Sequence, residues 1–101
     1  MSAAPELLPI MYNLNITKSV DRFLKGLKPK QFRQILHTIL RLRLNPNPHD
    51  SKQLIGSSEF KRVDIGEFRI IYRVEGDVVK IALVGKRNDN EVYKKFKRLS
   101  L

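Results

Sequence analysis

Phe60-Lys61-Arg62-Val63-Asp64-Ile65, Gly66-Glu67, Phe68-Arg69-Ile70-Ile71-Tyr72-Arg73-Val74, Glu75-Gly76-Asp77 and Val78-Val79-Lys80-Ile81-Ala82-Leu83-Val84 follow one another without interruption, and this run decides the fold. The first segment alternates apolar and polar, breaks at Gly66-Glu67 and resumes, which is a hairpin pattern with glycine supplying the positive φ of a type II′ turn. A second break at Gly76-Asp77 makes Phe68 to Val74 the middle of a three-stranded antiparallel meander. Two-residue loops place Ile65 opposite Phe68, Val63 opposite Ile70 and Lys61 opposite Tyr72. They also place Val74, Tyr72 and Ile70 opposite Val79, Ile81 and Leu83. One face is then almost wholly apolar. The other carries Phe60, Arg62, Asp64, Arg69, Ile71, Arg73, Lys80, Ala82 and Val84, with Asp64 opposite Arg69 and Arg73 opposite Lys80. A one-residue slip would bury those charges, so the polar pattern supports the register independently of the turns. Like charges directly opposite are unfavourable, and Arg73 beside Lys80 suggests a face that meets anions. The plainer reading is a solvated sheet face with long basic side chains.

Upstream, Tyr12-Asn13-Leu14-Asn15-Ile16 alternates like a first strand, and Thr17 or Ser19 then caps a helix with Val20, Phe23, Leu24 and Leu27 on one side. Pro29 suits the first turn of a second helix. Phe32, Ile35, Leu36, Ile39, Leu40 and Leu42 form its apolar stripe, and Lys30, Arg33, His37, Thr38 and Arg41 lie opposite. Asn45-Pro46-Asn47-Pro48 ends it, because each proline denies the preceding residue helical geometry. Leu54 and Ile55 are candidates to anchor the connection to the core. Downstream, Val92, Phe96 and Leu99 are spaced as a short C-terminal helix with a basic surface. These elements predict an α+β fold: a small two-layer domain, a helical hairpin packed on an antiparallel sheet in the order β-α-α-β-β-β with a short C-terminal helix. Residues 1–10, with Pro5 and Pro9, read as a flexible leader before a single domain at 11–101. With the helices on the apolar face, the charged face and Ile71 are left open.

The chain has 101 residues, 42% hydrophobic and 30% charged, which fits one globular domain. Twenty Lys and Arg against ten Asp and Glu give a net charge of +10, which favours a polyanionic partner, most often nucleic acid. There is no cysteine, and His37 and His49 are the only imidazoles, so no metal site and no cofactor are expected. No apolar run approaches the roughly 20 residues that span a bilayer, and the start lacks the features of a signal peptide. A cytoplasmic location and no membrane partner are expected.

The chain leaves the third strand near the Gly66-Glu67 end, which brings Arg62, Arg69, Arg87 and Tyr93 together at one end of the sheet, with Lys61, Lys86 and Arg73 nearby. Guanidinium groups bind phosphate oxygens bidentately and stabilise charge developing in phosphoryl transfer, and a tyrosine ring offers a surface for a base. A metal-free ribonuclease also needs a group to take the 2′-hydroxyl proton. A tyrosine serves only where neighbouring cations favour its ionised form. The structural alternatives are that Arg69 pairs with Asp64, that Tyr93 packs against the C-terminal helix, and that Tyr72 is core.

Lys52 to Gly56, Gly66-Glu67-Phe68-Arg69-Ile70-Ile71-Tyr72, and Gly85-Lys86-Arg87 followed by Glu91-Val92-Tyr93 are each weak signals, but their order and spacing are specific. From about Tyr12 to Leu99 the chain resembles the RelE/ParE family of bacterial toxins from toxin–antitoxin pairs. Resemblance to the RelE branch implies ribosome-dependent cleavage of messenger RNA by 2′-hydroxyl attack on the adjacent phosphate, with Arg69, Arg87 and Tyr93 in the places of that branch's two arginines and tyrosine. The branch also carries basic residues on the strand before the hairpin; Arg62 stands at the first such place, but Asp64 at the second. Either Lys61 or Lys86 substitutes, or Asp64 holds Arg69 and activity is lower. The ParE branch resembles the chain in fold, acts on DNA gyrase and generally lacks the complete arginine and tyrosine set, so a metal-independent endoribonuclease is favoured over a gyrase inhibitor. The resemblance thus implies a catalytic set of Arg69, Arg87, Tyr93 and Arg62, with Lys61, Arg73, Lys80, Lys86, Lys94 and Lys95 binding RNA. Its implied partners are messenger RNA, the ribosome and a cognate acidic antitoxin in a bacterial cytoplasm.

Overall fold

Gly66 and Gly76, each with φ of +57°, open the two tight loops that join the central strands β3 (Lys61–Ile65), β4 (Phe68–Glu75) and β5 (Val78–Lys86). A computed structural model of the chain describes residues 11–88 and 91–98; the leader at 1–10 and Leu99 lie outside them. Before the meander come β1 (Asn13–Ile16), α1 (Lys18–Lys25), α2 (Pro29–Leu44) and the short β2 (Lys52–Gln53), and after it α3 (Glu91–Arg98). The five strands lie in the order β1-β5-β4-β3-β2. The meander and β2 are antiparallel, and β1 joins the other edge parallel to β5, so the two helices carry the chain from one edge of the sheet to the other. The fold is therefore α+β with a mixed sheet.

The expected pairing holds across the first hairpin and from Val74 opposite Val79 to Tyr72 opposite Ile81. Between Ile71 and Tyr72 a bulge then shifts it by one residue. Ile71 faces Leu83, Ile70 faces Val84 and Arg69 faces Gly85, which corrects the sequence-based pair of Ile70 with Leu83. A bulge breaks the strict alternation of side chains. Leu83 consequently leaves the helical face and Val84 takes a place in it. The carbonyl of Ala82, at the bulge, accepts a hydrogen bond of 3.0 Å from Thr17 Oγ1, and the same oxygen accepts from Val20 N at 3.3 Å to cap α1. Thr17, rather than Ser19, is thus both helix cap and clasp of the bulge.

The helical face buries Val63, Phe68, Ile70, Tyr72, Val79, Ile81 and Val84 against Val20, Leu24, Ile35, Ile39 and Leu42. Tyr72 is core, fully buried, and its hydroxyl donates to Pro46 O at 2.7 Å, pinning the loop that ends α2. Burial pushes that hydroxyl's pKa up from 10.0. Two positions on α2 differ from the expected stripe: Leu40 is exposed, and Thr38 is buried with its hydroxyl donating to Gln34 O at 3.2 Å.

The opposite face is not open. α3 covers part of it, burying Ile71, Ala82, Leu83, Leu54, Phe60 and Val92, with Phe96 edge-on to Phe60 at 5.0 Å between ring centroids. Ile71, expected to be exposed, is 0% exposed because α3 roofs it. Of the two proposed loop anchors, Leu54 is buried, whereas Ile55 is 83% exposed where the chain turns at Gly56, φ +84°. Truncating a buried isoleucine forfeits transfer energy and leaves a cavity. Ile71→Ala should therefore cost about 2–5 kcal/mol, and Ile55→Ala no more than about 0.5 kcal/mol, in urea denaturation followed by circular dichroism.

Candidate active site

Arg62 and Asp64 are two residues apart on β3 and so point to the same side, away from α1 and α2. The tight Gly66 loop sets Asp64 directly across from Arg69. Arg87 follows β5, its backbone N–H bonded to Glu67 O at 3.0 Å, so it sits beside the same hairpin loop. Tyr93 comes from α3, and Gly85 decides how close α3 can lie. A Cβ there would stand 3.3 Å from Val92 Cβ, so even an alanine would require Val92 to give way by a few tenths of an ångström. Gly85 also faces Arg69 across the ladder.

The four expected catalytic side chains meet around the Asp64 carboxylate. Arg69 grips it as a fork, Nε to Oδ1 at 2.7 Å and Nη2 to Oδ2 at 3.1 Å. Its Nη1 donates to Tyr93 Oη at 2.8 Å, and its guanidinium carbon lies 5.5 Å from the centre of that ring. Arg62 Nη1 and Arg87 Nη1 each stand 3.6 Å from Asp64 Oδ2, within ion-pair range but beyond a normal hydrogen bond. Arg62 Nε is buried without a hydrogen-bond partner among the described residues. The hydrogen bond from Arg69, followed by the charges of Arg69, Arg62 and Arg87, holds the Asp64 carboxyl below its ordinary 3.8, against the opposing effect of burial. The hydrogen bonds that Arg69 donates to Asp64 in turn hold its guanidinium pKa above the ordinary arginine range.

The other expected RNA-binding residues are dispersed. Lys61 points to the helical side, opposite Tyr72, and donates to Asn47 Oδ1, so it does not substitute for the missing basic residue at position 64. Arg73 lies toward the Gly76 end, bridged to Glu59 and Glu75 and 5.5 Å from the Phe60 ring centre, with Lys80 opposite it. Lys86 faces Glu67 at 3.9 Å, Lys94 is exposed, and Lys95 Nζ lies 5.7 Å from the Phe23 ring centre. His37 and His49 are exposed, on α2 and the loop after it. Gly85 is the contributor that reading for charged and aromatic residues passes over; its signal is a glycine inside a strand, which often marks a bulge or a close approach.

Three guanidinium groups beside a tyrosine hydroxyl can hold a phosphate and stabilise extra charge on it. Comparison with known proteins matches residues 14–91 to the family described as ParE toxin of type II toxin-antitoxin system, parDE. The chain belongs to the RelE/ParE family of toxins. A relative from Methanocaldococcus jannaschii, named "Putative toxin RelE1", is 37% identical over 81 residues, 75% of this chain and 90% of that protein. The RelE–RelB complex of Pyrococcus horikoshii OT3 contains a chain similar at a TM-score of 0.69 and 28% identity, covering 78% of this chain and 98% of that one. The free E. coli RelE variant has the same fold, with a TM-score of 0.74 at 20% identity over 90% of this chain and 99% of that one. No helix among the described residues is long and apolar enough to cross a membrane.

The lowered pKa of Asp64 makes a prediction about acid. A carboxylate whose folded pKa lies below its unfolded 3.8 contributes stability fully above 3.8 and loses it as pH falls through the folded value. The stability gap between this RelE/ParE toxin and its Asp64→Asn variant should therefore be constant from neutral pH to about pH 5 and close below 3.8. Urea denaturation of both proteins across that range measures it.

Proposed function

We propose that this toxin is a ribosome-dependent endoribonuclease that cuts messenger RNA without a metal ion. The observation that supports this most is the meeting of Arg62, Arg69 and Arg87 at one carboxylate, with Tyr93 bonded to Arg69, from three different strands or their ends and one helix. In the proposed reaction the ribose 2′-oxygen attacks the adjacent phosphorus, its proton leaves to a base, and the bond from phosphorus to the 5′-oxygen breaks. The departing oxygen gains a proton, so the products are a 2′,3′-cyclic phosphate and a 5′-hydroxyl. Arginines supply fixed positive charge to the crowded phosphate, and Tyr93 brings its hydroxyl to the reacting group and its ring to the base beside it. An active site at the surface, on the part of the sheet face beside α3, suits a polymer presented by a large partner rather than an enclosed small molecule.

The RelE–RelB complexes of Pyrococcus horikoshii and Mycobacterium tuberculosis, both similar in fold, support a cognate antitoxin as the second partner. A net charge of +10 calls for an acidic one. The match to the ParE description favours one competing reading, a non-enzymatic inhibitor of DNA gyrase.

On ribosomes programmed with a defined message, Arg87→Ala should slow cleavage by about a hundredfold or more, the usual scale for one transition-state donor. Tyr93→Phe, which keeps the ring and removes the hydroxyl, should also slow it by about a hundredfold, the scale for one positioned proton-transfer group. Wild-type cutting by both folded variants would remove this site from the reaction. DNA breaks without cut transcripts would favour the gyrase reading.

A further inference from the structure

We infer that Asp64, Arg69 and Tyr93 form a fixed relay in which Arg69 is a positioning residue, and that the scissile phosphate falls to Arg62 and Arg87. This rests on the ribonuclease reading above and divides the labour within its site. The distances separate the arginines into two kinds. Arg69 spends Nε and Nη2 on Asp64 and Nη1 on Tyr93 Oη, all at 2.7 to 3.1 Å. Its side chain is 14% exposed. Giving a phosphate the same donors would break a charge-assisted fork and strand a carboxylate among the site's walls. Arg62 and Arg87 are held to the same carboxylate only by charge, at 3.6 Å, and can swing to an incoming phosphate without breaking a hydrogen bond. Arg87 is 44% exposed; Arg62 is 20% exposed, with its Nε buried and unpartnered among the described residues.

Asp64 then acts in two opposed ways. Its charge competes with the phosphate for Arg62 and Arg87, which weakens binding. Its fork fixes Arg69, and through Arg69 Nη1 the direction of the Tyr93 hydroxyl, which supports turnover. A carboxylate standing where the family pattern carries a basic residue is therefore neither a lesion nor a simple brake.

The test separates binding from turnover. Asp64→Asn removes the charge and turns one acceptor of the fork into an amide that faces a guanidinium donor. On programmed ribosomes, a message carrying a 2′-deoxy residue at the cut site should bind this variant severalfold more tightly than wild type, while single-turnover cleavage of the all-ribose message falls about tenfold or more. Arg69→Lys, which keeps the charge without the fork, should slow cleavage equally with unchanged binding. Arg62→Ala and Arg87→Ala should weaken binding and flatten its salt dependence. Cleavage by Asp64→Asn at or above the wild-type rate would overturn the relay, leaving Asp64 as an inhibitor only. Weaker RNA binding by Asp64→Asn would also overturn it, because Arg69 would then be a phosphate contact. The relay has a readout that needs no activity: in protein labelled with 13C at tyrosine, the Tyr93 ring signals should shift in Asp64→Asn and hold in Arg62→Ala. Unmoved signals in Asp64→Asn would overturn it even if both proteins cut RNA. A wild-type protein that cuts no message would instead overturn the ribonuclease reading, with the ring signals still deciding the relay.

Discussion

At the bulge between Ile71 and Tyr72 the β4–β5 register shifts by one residue, and this divides the apolar side chains of the sheet between two faces. Val84 goes to the helical hairpin, and Leu83 goes to the other side beside Ile71. The second face thereby acquires enough apolar surface to dock a helix. Val92 and Phe96 take that surface, and the chain that returns to reach it carries Arg87 and Tyr93 with it. Gly85, one position after Val84, lands on the face where α3 needs room. Val92, which holds α3 down, is thus one step in sequence from Tyr93, which reaches Arg69. Thr17 ties the arrangement to the N-terminal half, since its hydroxyl is bonded to the carbonyl of Ala82.

Charge is the second constraint. Arg62, Arg69 and Arg87 gather like charges at one place, and the chain carries twenty basic residues against ten acidic ones. Asp64 resolves this locally, because one carboxylate lies within ion-pair distance of Arg62, Arg69 and Arg87. Elsewhere carboxylates hold basic side chains at other places: Glu59 and Glu75 at Arg73, Glu67 at Lys86. The cluster's specificity therefore comes from which cations are loosely paired at one spot, more than from the overall excess.

Much of the fold and the charged pair at its centre could be read from the chain alone, because glycine loops and alternating polarity together specify a register. Asp64 opposite Arg69 follows from a two-residue loop at Gly66 and nothing else. The bulge could not be read in the same way. Ile81-Ala82-Leu83-Val84 is apolar at every position, so a shift of one residue exposes no charge and leaves no mark in the pattern. The roof of α3 over Ile71 was hidden for a related reason, since an isolated isoleucine among charged neighbours looks solvated until its partner helix is placed. Thr38 was recoverable in principle: Ile35, Thr38, Ile39 and Leu42 form a regular i, i+3, i+4, i+7 stripe, and a hydroxyl that bonds Gln34 O is admissible there. The convergence of Arg62, Arg69, Arg87 and Tyr93 was visible from strand order. Their separation into tightly and loosely held groups is a matter of tenths of an ångström that no spacing rule supplies.

The chemistry of the cut ends addresses the central proposal most directly. Purified protein would be added to ribosomes stalled on a defined message, and the fragments analysed for their terminal groups by mass spectrometry. The account predicts fragments that end in a 2′,3′-cyclic phosphate or its hydrolysis product and begin with a 5′-hydroxyl. Those ends should be absent when the nucleotide 5′ to the cut carries a 2′-deoxy sugar. Fragments bearing a 5′-phosphate and 3′-hydroxyl, or cutting that survives the 2′-deoxy substitution, would contradict it, because neither can arise from attack by the neighbouring 2′-oxygen.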